Sequence, residues 1–136
     1  MLDLLIRGGL IIDGTGSPGY YASVGVADDK VRIIRGDTSE IQANRIIDAS
    51  GHIVTPGFID MHAHSGLVIL SEPRHEPKVL QGVTTELIGV DGNSYAPFRS
   101  HEDFLRFVEL NSGLDGNPPL PGRWSTVEQY LNMFDQ

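Results

Sequence analysis

The segment PGFIDMHAHSG, from Pro56 to Gly66, marks the point at which the pattern of the chain changes. It begins with a Pro-Gly turn and continues as FIDMHAH, in which polar residues alternate with apolar ones. Because alternate side chains of a β-strand point to the same face, Asp60, His62 and His64 are expected on one face and an apolar layer on the other. The segment therefore predicts a buried strand that carries two histidines at its carboxyl end.

The residues after this segment favour a helix and then a second strand. EPRHEPKVLQ, residues 72–81, predicts a short helix interrupted by Pro77. GVTTELIGV, residues 82–90, is rich in β-branched residues and predicts another buried strand. A strand, a helix and a strand in this order imply a parallel sheet.

Two further helices are predicted closer to the end of the chain. Ser100 is the expected N-cap of HEDFLRFVELNSG, and Gly113 is its expected stop. Ser125 and Glu128 have the spacing of a capping box in front of an apolar stripe of helical period. Nothing follows to bury that stripe, so the chain is expected to end within a domain.

Before Pro56 the chain consists of short β-rich segments separated by turn residues. Asp28, Asp29 and Lys30 are expected to form the turn of a hairpin. The spacing of the segments is typical of a small antiparallel sandwich or barrel. We therefore predict an α/β protein with a β-sandwich segment over residues 1–55 and the start of a parallel α/β domain over residues 56–136.

The composition argues against several kinds of partner. The chain has 10 Lys and Arg residues against 18 Asp and Glu residues, and its net charge of −8 at pH 7 opposes binding to nucleic acid or to an anionic membrane. No apolar stretch approaches the roughly 18 residues that span a bilayer, and the first residues do not resemble a signal peptide. The absence of cysteine fits a cytoplasmic protein. We expect a cytoplasmic protein that binds neither nucleic acid nor membrane.

The two histidines of the HxH pair, His62 and His64, are candidate metal ligands, because imidazole nitrogen is a preferred ligand of zinc. An HxH pair alone is common in proteins that bind no metal. Here the pair ends a predicted parallel strand, and barrel enzymes keep their active sites at the carboxyl ends of such strands. This position favours a metal site.

Three stretches together resemble the amidohydrolase superfamily. VTPGFIDMHAHSG is similar to its first barrel strand, with the pattern Asp-x-His-x-His, and MLDLLIRGGLIIDGTG is similar to the start of its N-terminal β-sandwich. EPRHEPKVLQGVTTELIGVDGNSYAPF resembles the N-acyl-D-amino-acid deacylases within it. The resemblance implies the first βα units of a (β/α)8 TIM-like barrel, here incomplete. It also implies Zn²⁺ and the hydrolysis of N-acylated D-amino acids, with zinc lowering the pKa of water and polarising the substrate carbonyl.

Carried onto this sequence, the resemblance makes His62 and His64 metal ligands. Many of these deacylases have a zinc-binding cysteine where this chain has Asp91. A carboxylate is a competent but harder zinc ligand, so Asp91 is either a third metal ligand or a turn residue before Gly92. Gly66 is a second departure, because relatives often carry aspartate there.

The loop DGNSYAPF supplies the candidate substrate-binding residues Asn93, Ser94 and Tyr95, which are expected on a pocket rim unless the loop is an ordinary connection. The resemblance places the general base outside this chain, so the isolated chain is expected to be inactive. The alternatives are a structural fragment and an amidohydrolase that acts on cyclic amides. Association through an exposed barrel surface is also open.

Four further polar residues are expected outside the metal-ligand set. His75 and His101 are expected to be solvated. Arg74 is expected to form an exposed surface pair, the alternative being that its guanidinium binds a substrate carboxylate. Glu86, an acid in a buried strand, is expected at a rim or interface, or else bonded to a group of the metal site.

Overall fold

The computed structural model describes residues 1–135, which fall into two compact units that meet in sequence at Pro56 and Gly57. Strands dominate the first unit, and the second combines strands with helices. The predicted α/β class is confirmed at this level.

The first unit contains one five-stranded sheet. Its strands are β1 (Leu2–Ile11), β2 (Tyr20–Ala27), β3 (Lys30–Ile34), β4 (Ala43–Asp48) and β5 (Ile53–Val54). They pair in the order β3-β2-β1-β4, and β5 also pairs with β1. Leu5, Ile11 and Val24 are among its buried residues.

The predicted hairpin is confirmed as β2 and β3. Ala27 pairs with Lys30, so Asp28 and Asp29 form a two-residue turn. Asp28 adopts a φ of 53°, a conformation that Asp tolerates better than most residues. Its backbone N–H also donates to Oδ2 of Asp3 at 2.8 Å, which ties the turn to the first strand.

The all-antiparallel pairing predicted for the first unit is wrong for its last two strands. Both β4 and β5 run parallel to β1, because the chain leaves β3 at one edge and returns on the other side of β1. Residues 1–56 form this one sheet, so the second layer that a sandwich needs stays a prediction.

The second unit begins with β6 (Phe58–Asp60), which pairs in parallel with β7 (Val83–Glu86). Two short helices, α1 (Val68–Ser71) and α2 (Glu76–Val79), connect them. The predicted strand–helix–strand order and its parallel pairing are confirmed. The longer α3 (His101–Asp115) and the short α4 (Val127–Leu131) follow.

The predicted strand FIDMHAH is shorter and more exposed than expected. It ends at Asp60, whose Oδ1 accepts a hydrogen bond from the backbone N–H of His62 at 3.0 Å, and this local turn competes with regular pairing. His62 and His64 therefore lie in the loop after β6. Phe58 and Ile59 are exposed, because in the described residues β7 is the only strand beside β6.

The predicted helix boundaries also differ from the observed ones. Pro77 lies in the first turn of α2, where it is tolerated, instead of interrupting a longer helix. The long α3 begins after its predicted N-cap Ser100 but continues through Gly113 and stops at Gly116, which has a φ of 73°. Thr126, not Ser125, is the N-cap of α4.

Aromatic residues form the core of the second unit. Its buried members are Leu67, Tyr95, Ala96, Phe104, Val108, Trp124 and Tyr130. Nε1 of Trp124 donates to the backbone carbonyl of Tyr95 at 2.6 Å, and the hydroxyl of Tyr130 donates to that of Gly66 at 2.8 Å. These two hydrogen bonds connect the core to two stretches of backbone, the one that follows the HxH pair and the one that follows Asp91.

Across residues 1–135, every helix falls short of the length and apolarity needed to cross a membrane.

Candidate metal centre

His62, His64 and Asp91 come together beyond the carboxyl ends of the two parallel strands. Oδ2 of Asp91 lies 2.9 Å from Nε2 of His62 and 3.8 Å from Nε2 of His64. One ligand atom from each residue lies within 4.8 Å of those of the other two. The structure therefore brings together the three residues predicted as metal ligands.

Backbone hydrogen bonds between the two loops explain why these side chains meet. The backbone N–H of Leu87 donates to the carbonyl of Asp60 at 2.8 Å, and that of Ala63 donates to the carbonyl of Leu87 at 3.1 Å. This irregular pairing continues beyond β6 and β7. It keeps the HxH pair beside the loop that leads to Asp91.

Asp91 lies in a 3₁₀ turn over Val90–Gly92 and has a φ of 56°. Gly89, which precedes this turn, and Gly92, its last residue, each have a φ of 78°. With these three left-handed conformations, the loop brings the Asp91 carboxylate to face the histidines. The two interpretations that the sequence left open are thus compatible, because Asp91 is a turn residue and also faces the HxH pair.

The three side chains differ in exposure. His62 and Asp91 are 60% and 59% exposed, whereas His64 is 19% exposed. One side of the cluster is therefore open to solvent, and His64 forms its buried side. Catalytic zinc sites keep such an open position for water or substrate.

Asp115, at the end of α3, supports His64 from behind. Its side chain is 1% exposed, and its Oδ1 lies 2.8 Å from Nδ1 of His64. The two atoms are not aligned for an in-line hydrogen bond, so the contact is best described as a close polar pair. A carboxylate at Nδ1 leaves Nε2 of the ring available to a metal, which is how many metal-binding histidines are held.

Tyr95 completes this buried group. Its hydroxyl donates to Oδ2 of Asp115, so the two oxygens of one carboxylate contact Tyr95 and His64. Burial, reinforced by the hydrogen bond to Asp115, raises the pKa of Tyr95 well above its usual range. Tyr95 therefore stays protonated and acts as a donor to Asp115.

The predicted substrate residues occupy different environments. Tyr95 is 3% exposed and belongs to the core, so the structure does not bring it to a pocket rim. Asn93 is half-buried, and Ser94 is exposed, with its hydroxyl donating to the carbonyl of Ala96 at 2.7 Å. The roles of Asn93 and Ser94 in substrate binding stay predictions.

Asp115 was missed by sequence reasoning. It lies 51 residues after His64 and is followed by glycine at a helix end, which looks like an ordinary helix stop. The sequence contains no local pattern that connects the two residues. Only the packing of α3 against the site loops reveals the pair.

The expectations for the other polar residues are mixed. Arg74 forms an exposed pair with Glu76, as predicted. The expectation that His75 is solvated is wrong, because its ring is mostly buried and its Nε2 lies 3.1 Å from Oε2 of Glu86. His101 is also partly buried, with its ring stacked on Phe104.

The donor set fits zinc. It offers two imidazole nitrogens and one carboxylate oxygen, all ligand types that zinc takes. Zinc–ligand distances of about 2.0–2.2 Å in a tetrahedral site place ligand atoms roughly 3.4 Å apart. The observed separations of 2.9 and 3.8 Å bracket that value, so small side-chain rotations would suffice.

Comparisons with known proteins give consistent matches. A family model described as "Amidohydrolase family" matches residues 45–127. An N-acyl-D-glutamate deacylase of Alcaligenes xylosoxydans xylosoxydans is 46% identical over 96 residues, which are 71% of this chain and 20% of that protein. The match thus spans about a fifth of that relative's length.

Two solved structures are similar in fold and in sequence. A crystal structure of D-aminoacylase gives a TM-score of 0.74 at 36% identity, covering 98% of this chain and 27% of that one. The N-acyl-D-glutamate deacylase of Bordetella bronchiseptica gives a TM-score of 0.67 at 45% identity, covering 71% and 20%. The latter crystal structure contains zinc and a phosphonate inhibitor that mimics the tetrahedral intermediate.

Proposed function

Since the chain belongs to the amidohydrolase family, we propose that it is the N-terminal part of a zinc-dependent enzyme that deacylates N-acyl-D-amino acids. The observation that carries the proposal is the convergence of His62, His64 and Asp91 beyond two adjacent parallel strands. The sequence similarity to an N-acyl-D-glutamate deacylase supports the substrate class.

The proposal includes the finer architecture. Residues 1–55 would contribute to a β-sandwich, and residues 56–136 would form the first βα units of a (β/α)8 barrel. The exposed apolar side chains of Phe58 and Ile59 support further strands beside β6. A cytoplasmic location is proposed on the absence of cysteine alone.

Within the site, Nε2 of His62, Nε2 of His64 and a carboxylate oxygen of Asp91 would hold zinc. When bound, zinc supplies a Lewis acid that polarises the amide carbonyl of the substrate. Asp115 orients the His64 ring, and the hydroxyl of Tyr95 donates a hydrogen bond to Asp115. Asn93 and Ser94 are the proposed substrate-binding residues beside the metal site, and the general base would come from residues outside this chain.

Metal binding tests the proposal directly. We expect zinc to bind the wild-type chain and to be lost from the double variant His62→Ala with His64→Ala. The matched control is His52→Ala, which removes an exposed histidine of the first unit. Equal zinc content in the double variant and the wild type, measured by elemental analysis after dialysis, would reject the site.

A substrate panel tests the reaction. The protein that carries this segment is expected to release the acyl group from N-acetyl-D-amino acids and to leave their L-enantiomers and cyclic amides intact. Preference for a cyclic amide would instead place it in another branch of the family. The isolated 136-residue chain with zinc is expected to give no turnover.

A further inference from the structure

Glu86, the last residue of β7, is a largely buried acid that the proposed metal site does not use. Its side chain is 10% exposed and contacts three donors. They are the hydroxyl of Ser65, Nε2 of His75 at 3.1 Å, and Nζ of Lys78 at 3.1 Å. Burying a carboxylate is costly unless it is paired, so this arrangement calls for an explanation.

The Glu86 carboxylate is ionised at neutral pH. Burial on its own would raise the pKa of Glu86, but the hydrogen bonds from Ser65, Lys78 and His75 outweigh burial and lower it. An ionised carboxylate makes stronger hydrogen bonds than a neutral one. Its three contacts are therefore well suited to fix the position of the groups that donate to it.

Two of these contacts lead to the two ends of one short segment, residues 60–65. Lys78 also pairs with Asp60, whose other oxygen accepts from the backbone N–H of His62. At the other end, Ser65 follows His64 directly and donates to Glu86. Glu86 thus connects to the residues on either side of the HxH pair.

We propose that Glu86 is a positioning residue for the metal site: through Lys78 and Asp60 at one end, and through Ser65 at the other, it fixes the backbone that aims His62 and His64 at Asp91. This inference rests on the proposed metal function of those three residues.

The local backbone has few hydrogen bonds of its own to hold this segment. Regular pairing of β6 ends at Asp60, and beyond it the backbone N–H of Ala63 donates to the carbonyl of Leu87 before the chain reaches Ser65. His62 is largely exposed, so packing does little to orient it. A metal site needs its ligands held to within about 0.5 Å of the productive geometry. Asp115 orients the His64 ring, and the side-chain contacts of Glu86 fix the backbone at both ends of residues 60–65.

The test is zinc affinity and the Co²⁺ absorption spectrum of the full chain. Glu86→Gln keeps the shape of the side chain but removes its charge. We expect it to weaken zinc binding roughly tenfold, the low end of effects seen for residues behind metal ligands, and to shift the Co²⁺ d–d bands. The control Glu109→Gln, which removes an exposed charge on α3, is expected to change neither quantity.

A second set of variants tests each end of the segment separately. These variants also keep the inference testable if circular dichroism shows that Glu86→Gln does not fold. Ser65→Ala and Lys78→Met are each expected to weaken zinc binding. Lys78→Arg keeps a positive charge at this position, so it is expected to retain most of the wild-type zinc affinity. Wild-type zinc affinity and Co²⁺ spectra in both Ser65→Ala and Lys78→Met would overturn the inference.

The outcomes separate this inference from the proposed function. If the wild-type chain binds no zinc, or binds it independently of His62 and His64, the metal site itself is wrong. If zinc binding needs the histidines but Glu86→Gln behaves like Glu109→Gln, only the positioning role of Glu86 is wrong.

Discussion

Asp91 combines a left-handed backbone conformation with a carboxylate that faces two histidines. Asparagine tolerates this conformation as well as aspartate does, so Asp91→Asn isolates the contribution of the charge. We expect Asp91→Asn to weaken zinc binding about 10- to 100-fold, because an interaction with a charged group is worth about 1.5–3 kcal/mol. Isothermal titration calorimetry measures this directly.

Asp91→Cys makes the opposite change, toward the cysteine that the resemblance to deacylases implies at this position. A thiolate is a softer ligand than a carboxylate, so zinc and cadmium should bind more tightly. Bound Co²⁺ should gain an intense near-ultraviolet thiolate band. The left-handed backbone should cost the variant about 1 kcal/mol of folding stability. If neither variant changes metal affinity, Asp91 serves only as a turn residue.

Asp115 offers a second prediction at the scale of one residue. Asp115→Asn keeps an acceptor for the Tyr95 hydroxyl but removes the charge beside Nδ1 of His64. We expect zinc affinity to fall about 10- to 100-fold, as for other carboxylates behind metal-binding histidines. Equal zinc affinity in the variant and the wild type would show that Asp115 has only a structural role.

Tyr95→Phe is the companion variant for Asp115. It leaves the carboxylate in place and removes one of its donors, so the main expected effect is a loss of about 1–3 kcal/mol of folding stability from an undersatisfied buried group. Zinc affinity should change less than in Asp115→Asn. Chemical denaturation and zinc titration of the two variants distinguish these effects.

The residues that face the proposed metal were predictable to different degrees. The spacing of His62 and His64 predicted that both side chains point to the same side, and both face Asp91 although the strand ends before them. Asp115 was not predictable, because its contact with His64 depends on where the end of α3 packs. The burial of Tyr95 was missed for the same reason: its loop looks polar in sequence, yet the aromatic core encloses it.

At the scale of elements, the start of α4 distinguishes two capping residues. The side chain of Thr126 accepts from the backbone N–H of Gln129 at 3.2 Å, and Oε1 of Gln129 accepts from the backbone N–H of Thr126 at 3.3 Å. We expect Thr126→Ala to destabilise the second unit by about 1 kcal/mol, the usual cost of a lost N-cap. Thermal unfolding monitored by Trp124 fluorescence reports the change.

Ser125→Ala is the matched control for this cap, because Ser125 is the N-cap that the sequence predicted. Ser125→Ala keeps the hydrogen bond that the backbone N–H of residue 125 donates to Oε1 of Gln129 at 2.9 Å. The loss of folding stability should therefore be smaller than for Thr126→Ala. A larger loss in Ser125→Ala would favour the predicted capping box.

Element types were more predictable than their boundaries. The parallel pairing of β6 with β7 was predicted from the order of apolar and turn-rich segments. The residues at which these elements end were not predictable, because each end depends on one local hydrogen bond or backbone conformation. Asp60 ends β6 with its own carboxylate, and α3 ends at Gly116, where the backbone needs a positive φ, and not at the earlier Gly113.

At the scale of the whole molecule, the groups with shifted pKa values are distributed unequally between the units. In the first unit the shifted groups are aspartates whose pKa values are lowered, chiefly by hydrogen bonds, such as Asp13 and Asp48. In the second unit, the Asp60 pKa is lowered, first by its hydrogen bond from Lys78, and the Lys78 pKa is raised by the same bond. A carboxyl pKa that is lowered in the folded state contributes stability that is lost in acid, so both units are expected to lose stability at low pH. A lysine pKa that is raised in the folded state contributes stability that is lost in alkali, so the second unit is also expected to lose stability at high pH.

Tyr130 is one of the groups that contribute to this alkaline loss. Burial raises the pKa of Tyr130 from its ordinary value of 10.0 to about 12. Because the folded pKa is higher than the unfolded one, the stabilising effect of the neutral phenol is complete below pH 10 and is lost as the pH rises toward 12. The shifted pKa of Tyr130 should remove roughly 1 kcal/mol of stability per pH unit in that window. Trp124, whose ring lies 5.3 Å from that of Tyr130, reports unfolding of this core.

Tyr130→Phe should flatten this alkaline dependence. The variant loses the hydrogen bond to the Gly66 carbonyl, so its stability at pH 7 should fall by about 1 kcal/mol. Between pH 10 and 12 its stability should then decline less steeply than that of the wild type, with Tyr95 and Lys78 accounting for the remaining slope. Tyr21→Phe, at an exposed position of the first unit, should match the wild type throughout. Parallel declines in Tyr130→Phe and the wild type would mean that ionisation of Tyr130 does not limit stability in alkali.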